Sequence, residues 1–265
     1  MSKLIFIDSD ETLRRSDGSI SKNTKKIIKK VRELGNYVVI CTGRPRYHTL
    51  EIMKQSGATP IVVSSNGSEI YDSENDILIN SIYLDNKECI NLFELCNKES
   101  IRIVFTIGNH EYATKYTKNN NQILLTEENY KEILNCKNIK QCLIMSNDIN
   151  SMEEIKHLYS NNSKLKILNG TKNLSGDYNN WFSIGNSLSS KGYALKVLAN
   201  YLNISMEDTI AIGNDYNDIS MLDEAREAIC VDNAYEDIKK HATYITKSND
   251  EDGVAYFLEK RLIKK

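Results

Sequence analysis

The sequence has few of the features that mark secreted, fibrous or membrane-spanning proteins. It contains only two prolines among 265 residues, and no proline-rich linker divides it. Its apolar runs, such as residues 61–63 and 142–145, are far shorter than the roughly 20 residues of a membrane-spanning helix. The first eight residues reach an acid after four apolar residues, which is too short for a signal peptide. We therefore expect a globular chain without a membrane partner.

Paired cysteine motifs are also missing. The six cysteines stand at positions 41, 89, 96, 136, 142 and 230, with no C-x-x-C pair and no regular spacing. This pattern argues against a disulfide framework and against a zinc site. Scattered thiols are typical of a reducing compartment, so the predicted location is cytoplasmic.

An excess of charge of one sign is absent as well. Lysine and arginine number 34 and aspartate and glutamate 36, which gives a net charge of −2. No basic field is therefore available to attract nucleic acid or an acidic membrane surface. Hydrophobic residues make up 40% of the chain, enough to exclude wholesale disorder.

What the sequence does contain is an alternation of short strands and helices at both ends. Apolar runs at 4–7, 38–41 and 61–63 each end in polar residues. Between the first two, an amphipathic helix begins after Ser21 as N-cap and ends at Gly35. This rhythm predicts right-handed βαβ crossovers and a parallel sheet, which is a Rossmann-like α/β fold. It returns with a helix at 191–202 and a strand at 209–212.

The middle of the chain has a different pattern, with strands that alternate apolar and polar residues as in a sheet with one wet face. We expect an inserted α+β domain at 83–186 and a core domain formed by 1–82 and 187–265. The predicted elements of the insertion are helices at 86–97 and 152–159 and strands at 101–106, 111–115, 141–146 and 164–168.

Polar residues follow the core strands at the points where they end. In open α/β sheets such residues converge on one crevice at the carboxyl ends of the strands. They include carboxylates, a hydroxyl, amides and a lysine, which suit a divalent cation and a phosphate group. The residues are Asp8, Asp10, Thr42, Asn66, Lys191 and the loop 213–218.

Residues 8–13 (DSDETL) carry the most information. Two acids two residues apart, directly after a strand, allow one to attack while the other moves a proton. A D-x-D pair alone also occurs in ordinary turns, where an aspartate bonds to nearby backbone.

The motifs together resemble the haloacid-dehalogenase-like (HAD) phosphohydrolases, and within them the Cof-type branch. D-x-D-x-T-L is matched at 8–13, a strand ending in Thr-Gly-Arg at 38–44, and K-G-x-A-L at 191–195. The fourth motif, G-D-x-x-N-D with a following apolar pair, is met by 213–218 and 221–222. Further Cof-like phrases are SNG at 65–67, DNA at 232–234 and DGVA at 252–255. The middle module resembles the C2-type cap of such proteins.

The resemblance implies Mg²⁺-dependent hydrolysis of a small phosphorylated metabolite, with sugar phosphates as the leading class. The implied nucleophile is Asp8, which forms an aspartyl-phosphate, and Asp10 is the general acid and base. The cap domain is expected to select the substrate. The implied phosphate-binding residues are Thr42, Gly43, Lys191 and Asn217. The implied metal ligands are Asp8, Asp10, Asn214 and Asp218, supported by Arg44, Asn66 and Asp215.

Two positions depart from the family pattern. Glu11 replaces the glycine usual in this branch, and Asn214 stands where the family has an acidic magnesium ligand. An amide oxygen can ligate Mg²⁺ but brings one negative charge fewer, which Asp215 or Asp218 would have to compensate.

Several alternatives remain open on the sequence alone. Thr42 is also a suitable helix cap, Lys191 a suitable surface lysine, and Asn66 a suitable turn residue. Arg44 fits a surface ion pair as well as a phosphate. For the whole chain the alternatives are a phosphotransfer signalling module, a phosphomutase and a catalytically weak phosphate-metabolite sensor.

Overall fold

The computed structural model describes residues 2–99, 101–115, 122–135, 138–170 and 178–264. Within them the chain divides into two compact units, residues 1–80 with 190–265 and residues 81–189. The predicted domain boundaries, 82/83 and 186/187, lie close to these limits. That the second unit acts as a cap stays a prediction.

The strands follow in chain order: β1 (Leu4–Ile7), β2 (Tyr37–Cys41), β3 (Ile61–Ser64), β4 (Glu69–Asp72), β5 (Ile77–Ser81), β6 (Arg102–Ile107), β7 (His110–Ala113), β8 (Gln122–Leu124), β9 (Ile139–Ser146), β10 (Leu165–Asn169), β11 (Asn180–Asn186), β12 (Thr209–Gly213), β13 (Glu227–Cys230) and β14 (Tyr244–Ile245).

The helices are α1 (Lys22–Glu33), α2 (Arg46–Ser56), α3 (Asn86–Lys98), α4 (Tyr130–Leu134), α5 (Ile149–Ser160), α6 (Lys191–Tyr201), α7 (Ile219–Glu224), α8 (Glu236–Lys239) and α9 (Gly253–Leu258). In the described part of the chain, no helix combines the length and the apolar character that crossing a bilayer requires.

The first unit is built on one large sheet with strand order β14-β13-β12-β1-β2-β3-β4-β5. Strands β14 to β3 run parallel, with β1 between β12 and β2. The predicted Rossmann-like α/β fold is therefore confirmed. One edge differs, because β3 and β4 pair antiparallel.

Both faces of this sheet are covered, which explains why β1 is apolar at every position. Ile5 and Ile7 pack in a cluster with residues of α1, α2 and α9. Leu4 and Phe6 point to the opposite face and pack with residues of α6 and α7. A strand buried on both faces cannot carry polar side chains, so the polar residues stand just beyond its end.

The local signals for α1 are confirmed, whereas α2 was not predicted. The Ser21 side chain accepts a hydrogen bond from the Thr24 amide and caps α1. The helix α2 buries two polar residues, Thr49 and Ser56, beside Ile52 and Met53. Because half of that buried face is polar, its hydrophobic pattern is weak.

The second unit contains a six-stranded sheet with the order β10-β11-β9-β6-β7-β8. Its strands pair antiparallel except for β7 and β8. Helices α3 and α5 contribute Phe93 and Met152 to a core with Ile103 and Phe105 of β6. Five cysteines are buried free thiols, and Cys136 lies outside the described residues.

Candidate active site

The parallel strands β1, β2 and β12 bring the predicted site residues to one edge of the sheet. Asp8 directly follows β1, and its amide donates to the carbonyl of Ile212 in β12. Thr42 directly follows β2, and its amide donates to the carbonyl of Val63. All predicted site residues lie in the first unit.

A buried lysine joins two carboxylates at the centre of this edge. Lys191 Nζ lies 2.5 Å from Asp8 Oδ1 and 2.6 Å from Asp218 Oδ1. The side chains of Lys191 and Asp218 are 0% exposed and that of Asp8 is 8% exposed. The surface-lysine alternative for Lys191 is therefore wrong.

The charges in this cluster do not balance. Burial raises the pKa of Asp8 to about 7, although the charge of Lys191 opposes the shift and that of Asp218 adds to it. Burial lowers the pKa of Lys191, but the two carboxylates outweigh it, so the net shift is upward and the lysine stays charged. When Asp8 is ionised, one cation thus serves two buried anions, and a second cation would neutralise the surplus negative charge.

Asp218 also shapes the loop that carries the fourth motif. Its Oδ2 accepts the backbone amides of Asn214, at 2.8 Å, and Asp215, at 3.0 Å. With Lys191 on Oδ1, three of about four acceptor positions of the carboxylate are used. Asp215 itself caps the next turn by accepting the Tyr216 amide at 2.7 Å.

Asp10 lies in a different environment, between two arginines. Arg44 donates from Nε and Nη2 to its two oxygens, at 2.7 and 2.8 Å, and Arg14 donates from Nη1 at 2.9 Å. Burial opposes ionisation of Asp10, but the hydrogen bond and charge of Arg44, with help from Ser9, outweigh it and lower its pKa. Asp10 is therefore an ionised carboxylate here.

The hydroxyl of Thr42 lies close to Ser9 and Arg44, which both contact Asp10. Ser9 Oγ lies 2.9 Å from both Thr42 Oγ1 and Asp10 Oδ2, and the Arg44 amide donates to Thr42 Oγ1 at 3.3 Å. Ser9 has one proton, so it donates to Asp10 or to Thr42 but not to both. When it donates to Asp10, the O–H of Thr42 can donate to Ser9; when it donates to Thr42, that O–H can donate to a bound molecule.

Gly43, Asn66 and Asn217 are also brought together. A Cβ at Gly43 would lie 2.9 Å from Asn66 Oδ1, so the asparagine packs closely against the bare backbone. Asn217 Nδ2 donates to Asn66 Oδ1 at 2.9 Å. The Asn217 Oδ1 atom is buried and has no hydrogen-bond partner among the described residues.

Asn214 is placed beside the turn that follows Asp8. Thr12 Oγ1 donates to Asn214 Oδ1 at 2.8 Å, and both residues are buried. The described residues contain no group of three or more His, Cys, Asp or Glu side chains arranged to hold a metal. Mg²⁺ keeps several waters and takes only one or two carboxylates from a protein, so Asp8 with the Asn214 amide oxygen fits that ion.

Sequence reasoning missed three contributors to this site. Ser9, Thr12 and Arg14 bond to Thr42, Asn214 and Asp10 respectively. The spacing of Asp10 and Arg14, four residues apart, was an available signal for an ion pair. Thr12 stood in the quoted motif, but its partner lies 202 positions away and could not be read locally.

Comparisons with known proteins agree with this geometry. A family model for haloacid dehalogenase-like hydrolases matches residues 5–258. Phosphatase YwpJ of Bacillus subtilis is 29% identical over 288 residues, covering 97% of this chain and 99% of YwpJ. YcsE of the same organism, a 5-amino-6-(5-phospho-D-ribitylamino)uracil phosphatase, is 30% identical over 253 residues, 96% of this chain and 93% of YcsE.

Solved structures give the same result. A haloacid dehalogenase-like hydrolase from B. subtilis has a TM-score of 0.84 at 26% identity, over 98% of this chain and 100% of that one. Another from Bacteroides thetaiotaomicron has the same TM-score and identity, over 98% and 99%. The chain therefore belongs to the haloacid dehalogenase-like hydrolase family, in its Cof-type branch, as its motifs predict.

Proposed function

We propose that the chain is a Mg²⁺-dependent phosphatase that hydrolyses a small phosphorylated metabolite through an aspartyl-phosphate on Asp8. The observation that carries this proposal is the placement of Asp8, buried at the end of β1 with Lys191 Nζ 2.5 Å from one of its oxygens. The other oxygen, Oδ2, is left for attack on phosphorus. Asp10, two residues later, is the group that handles the proton.

The residues fit a magnesium ion by charge and by chemistry. Asp8 and Asp218 are buried with a single lysine between them, which leaves a surplus negative charge. The ligands would be Asp8 and the Asn214 amide oxygen, with Asp10 in the set that the family resemblance implies. Asp218 is part of that predicted set too, but its contacts support a role in holding Lys191 and the loop. When bound, Mg²⁺ would offset the negative charge that builds up on the phosphate.

Phosphate binding is assigned to Thr42, Gly43, Lys191 and Asn217. The O–H of Thr42 would donate to a phosphate oxygen, the charge of Lys191 beside Asp8 would attract the phosphate, and glycine at 43 would let the backbone come close. The amide oxygen of Asn217 has no partner among the described residues and, as an acceptor, would take a hydrogen bond from water or from a hydroxyl of the substrate. Only its Nδ2, which donates to Asn66 Oδ1, can donate to a phosphate oxygen.

Asp8 would attack phosphorus and expel the alcohol of the ester, which takes its proton from Asp10. Asp10 would then remove a proton from the water that attacks the aspartyl-phosphate, which releases phosphate and restores Asp8. Since Asp10 is ionised while Arg44 binds it, Asp10 must take up a proton before the first step, and release from Arg44 would favour that uptake.

For the substrate, we infer a phosphorylated polyol or sugar. YcsE is named for a substrate with a phosphorylated ribityl chain, and it aligns over nearly the whole of both proteins. We assign substrate choice to the second unit, acting as a cap. We place the protein in the cytoplasm on the cysteine pattern alone.

Turnover of a panel of phosphate esters tests the proposal. The panel contains p-nitrophenyl phosphate, hexose and pentose phosphates, ribitol phosphate and a nucleotide, each with Mg²⁺ and with EDTA. We expect phosphate release that requires Mg²⁺, and acid-quenched enzyme carrying a phosphoryl group on the peptide with Asp8. Transfer of the phosphoryl group to another position of the substrate, without release, would favour the phosphomutase alternative.

Asn214 favours one second candidate, a catalytically weak phosphate-metabolite sensor. It replaces a carboxylate at the proposed metal position, which weakens the electrostatic drive for metal binding. Calorimetric binding of a phosphorylated sugar without measurable release of phosphate would support the sensor over the enzyme.

A further inference from the structure

Two of the Cof-like motifs, at residues 232–234 and 252–255, take no part in the proposed chemistry. In the structure they meet the loop that carries Asp10. Asn233 Nδ2 donates at 2.9 Å to the backbone carbonyl of Glu11, the residue directly after Asp10. The contact joins residues 222 positions apart.

A second asparagine continues the same chain of bonds. The backbone amide of Asn249 donates to Asn233 Oδ1 at 2.9 Å, and Asn249 Nδ2 donates to the carbonyl of Arg14 at 3.0 Å. Asn249 is 4% exposed. The two asparagines therefore hold the backbone on both sides of residues 12 and 13, and Arg14 is the residue whose side chain binds Asp10.

The acids that follow extend this attachment. Asp252 Oδ1 accepts two bonds from Arg15, at 3.1 and 2.8 Å. Asp250 accepts the amide and the hydroxyl of Ser16, at 2.8 and 2.7 Å. The loop after β1, at residues 11–16, is thus hydrogen-bonded at several positions to one segment, residues 233–252.

Glu11 is the position where such support matters most. Its φ is +58°, a left-handed conformation that is unfavourable for a residue with a Cβ. Glycine, usual at this position in the branch, would adopt it freely. A bond to the Glu11 carbonyl can hold this conformation, and the direction of the preceding Asp10 depends on it.

We propose that Asn233 and Asn249 are positioning residues for Asp10, an inference that rests on the proposed function. Their bonds hold Glu11 and Arg14, and so fix where the Asp10 carboxylate can meet a leaving group. The effect should appear mainly where proton transfer by Asp10 limits the rate.

The test compares two phosphate esters in Asn233→Asp, which keeps the acceptor for Asn249 and loses the donor to Glu11. With an alkyl phosphate, whose leaving group needs a proton, we expect kcat/KM to fall about tenfold, as small misplacements of catalytic groups do. With p-nitrophenyl phosphate, whose leaving group does not, kcat/KM should change less than about twofold. The comparison uses kcat/KM because it excludes the later attack of water on the aspartyl-phosphate, in which Asp10 is the base for both esters.

The matched control is Asn36→Asp. Asn36 accepts the Lys3 amide at 2.9 Å and donates to the Val31 carbonyl at 2.9 Å, so its chemistry is that of Asn233 at the opposite end of β1. The Asn36→Asp variant should leave the hydrolysis of both esters unchanged. Equal losses on both esters in Asn233→Asp, or the same selective loss in Asn36→Asp, would overturn the proposal.

Hydrogen exchange gives a readout that does not depend on turnover. Peptides covering residues 9–16 should take up deuterium faster in Asn233→Asp than in wild type or Asn36→Asp. Asn249→Asp, which loses only the donor to Arg14, should repeat both effects if Asn233→Asp folds poorly. Unchanged exchange in the loop would overturn the inference even if the wild type hydrolysed no ester, a result that by itself would sink only the proposed function.

Discussion

Arg44 binds the carboxylate of Asp10 with two nitrogens, at 2.7 and 2.8 Å. Arg44 therefore makes the ion pair that the sequence left as one alternative, with side chains 38% and 44% exposed, and its partner is the proposed general acid and base. The arginine stabilises the charged form of Asp10, whereas donating a proton requires the neutral form. The contact lowers the amount of the neutral form that the first step requires and maintains the ionised form that the second step requires.

The pH profile of Arg44→Ala tests this relationship. Wild-type kcat/KM on an alkyl phosphate should fall as pH rises through the pKa of Asp10, and Arg44 holds that pKa low. Removing Arg44 raises it, so the falling limb should move to higher pH. An unmoved limb, measured at saturating Mg²⁺, would show that Arg44 does not control the ionisation of Asp10.

Asp8→Asn tests the nucleophile. The amide keeps the shape and the acceptor for Lys191 but cannot attack phosphorus, so turnover of every active ester should fall by about a thousandfold or more. The matched control is Asp237→Asn, at an exposed residue of α8 that pairs with Lys240, and it should leave turnover unchanged. Activity of Asp8→Asn within tenfold of wild type would exclude Asp8 as the nucleophile.

The same variant should be more stable than the metal-free wild type. The folded-state pKa of Asp8 is raised to about 7 from 3.8, so the charged group costs stability above the unfolded value. This cost grows from about pH 4 and is complete above pH 7. Thermal unfolding in EDTA should therefore give a higher Tm for Asp8→Asn, with a larger difference at pH 8 than at pH 5. A difference that shrinks as pH rises would mean that the Lys191 ion pair outweighs burial.

Lys191→Met should destabilise the fold strongly at neutral pH. Removing the lysine leaves Asp8 and Asp218 buried without a cation, and breaking a buried pair in this way costs about 3–5 kcal/mol. The cost should be smaller at pH 5, because Asp8, whose pKa burial raises, then takes up a proton more easily. The measurement is urea unfolding of metal-free protein.

The control for that experiment lies on the same helix. Lys196 pairs with Glu224 at 2.7 Å and is 53% exposed, so Lys196→Met should cost less than about 1 kcal/mol. Similar losses for the two lysines would contradict the charge imbalance inferred at Asp8.

Asn214→Asp tests the metal position. Restoring an anion should lower the Mg²⁺ concentration for half-maximal activity by up to about tenfold, which corresponds to about 1.4 kcal/mol. Asn200→Asp adds the same charge on the exposed face of α6 and should not change it. If Mg²⁺ dependence is unchanged in Asn214→Asp while the fold and the maximal rate are intact, Asp215 or Asp218 is the ligand. Because Asp218 holds two loop amides, Asp218→Asn should impair the loop as well as any metal binding.

The sequence by itself determined the α/β class, the position of Asp8 and Asp10 after β1, and the family. These depend on local patterns: a strand buried on both faces must be apolar throughout, and its first polar residues then mark its carboxyl end. The α1 cap at Ser21 was readable for the same reason, since its partner lies three residues away.

Only the tertiary structure decided which polar groups form ion pairs and hydrogen bonds with one another. Lys191 lies 183 positions from Asp8, and Asn233 lies 222 positions from Glu11. Nothing in a local pattern encodes such a distance, because the sheet order β12-β1-β2 brings remote strand ends together. The spacing of Asp10 and Arg14 hinted at an ion pair, but the competition of Arg44 for the same carboxylate, and with it the ionisation of Asp10, follows only from the folded chain.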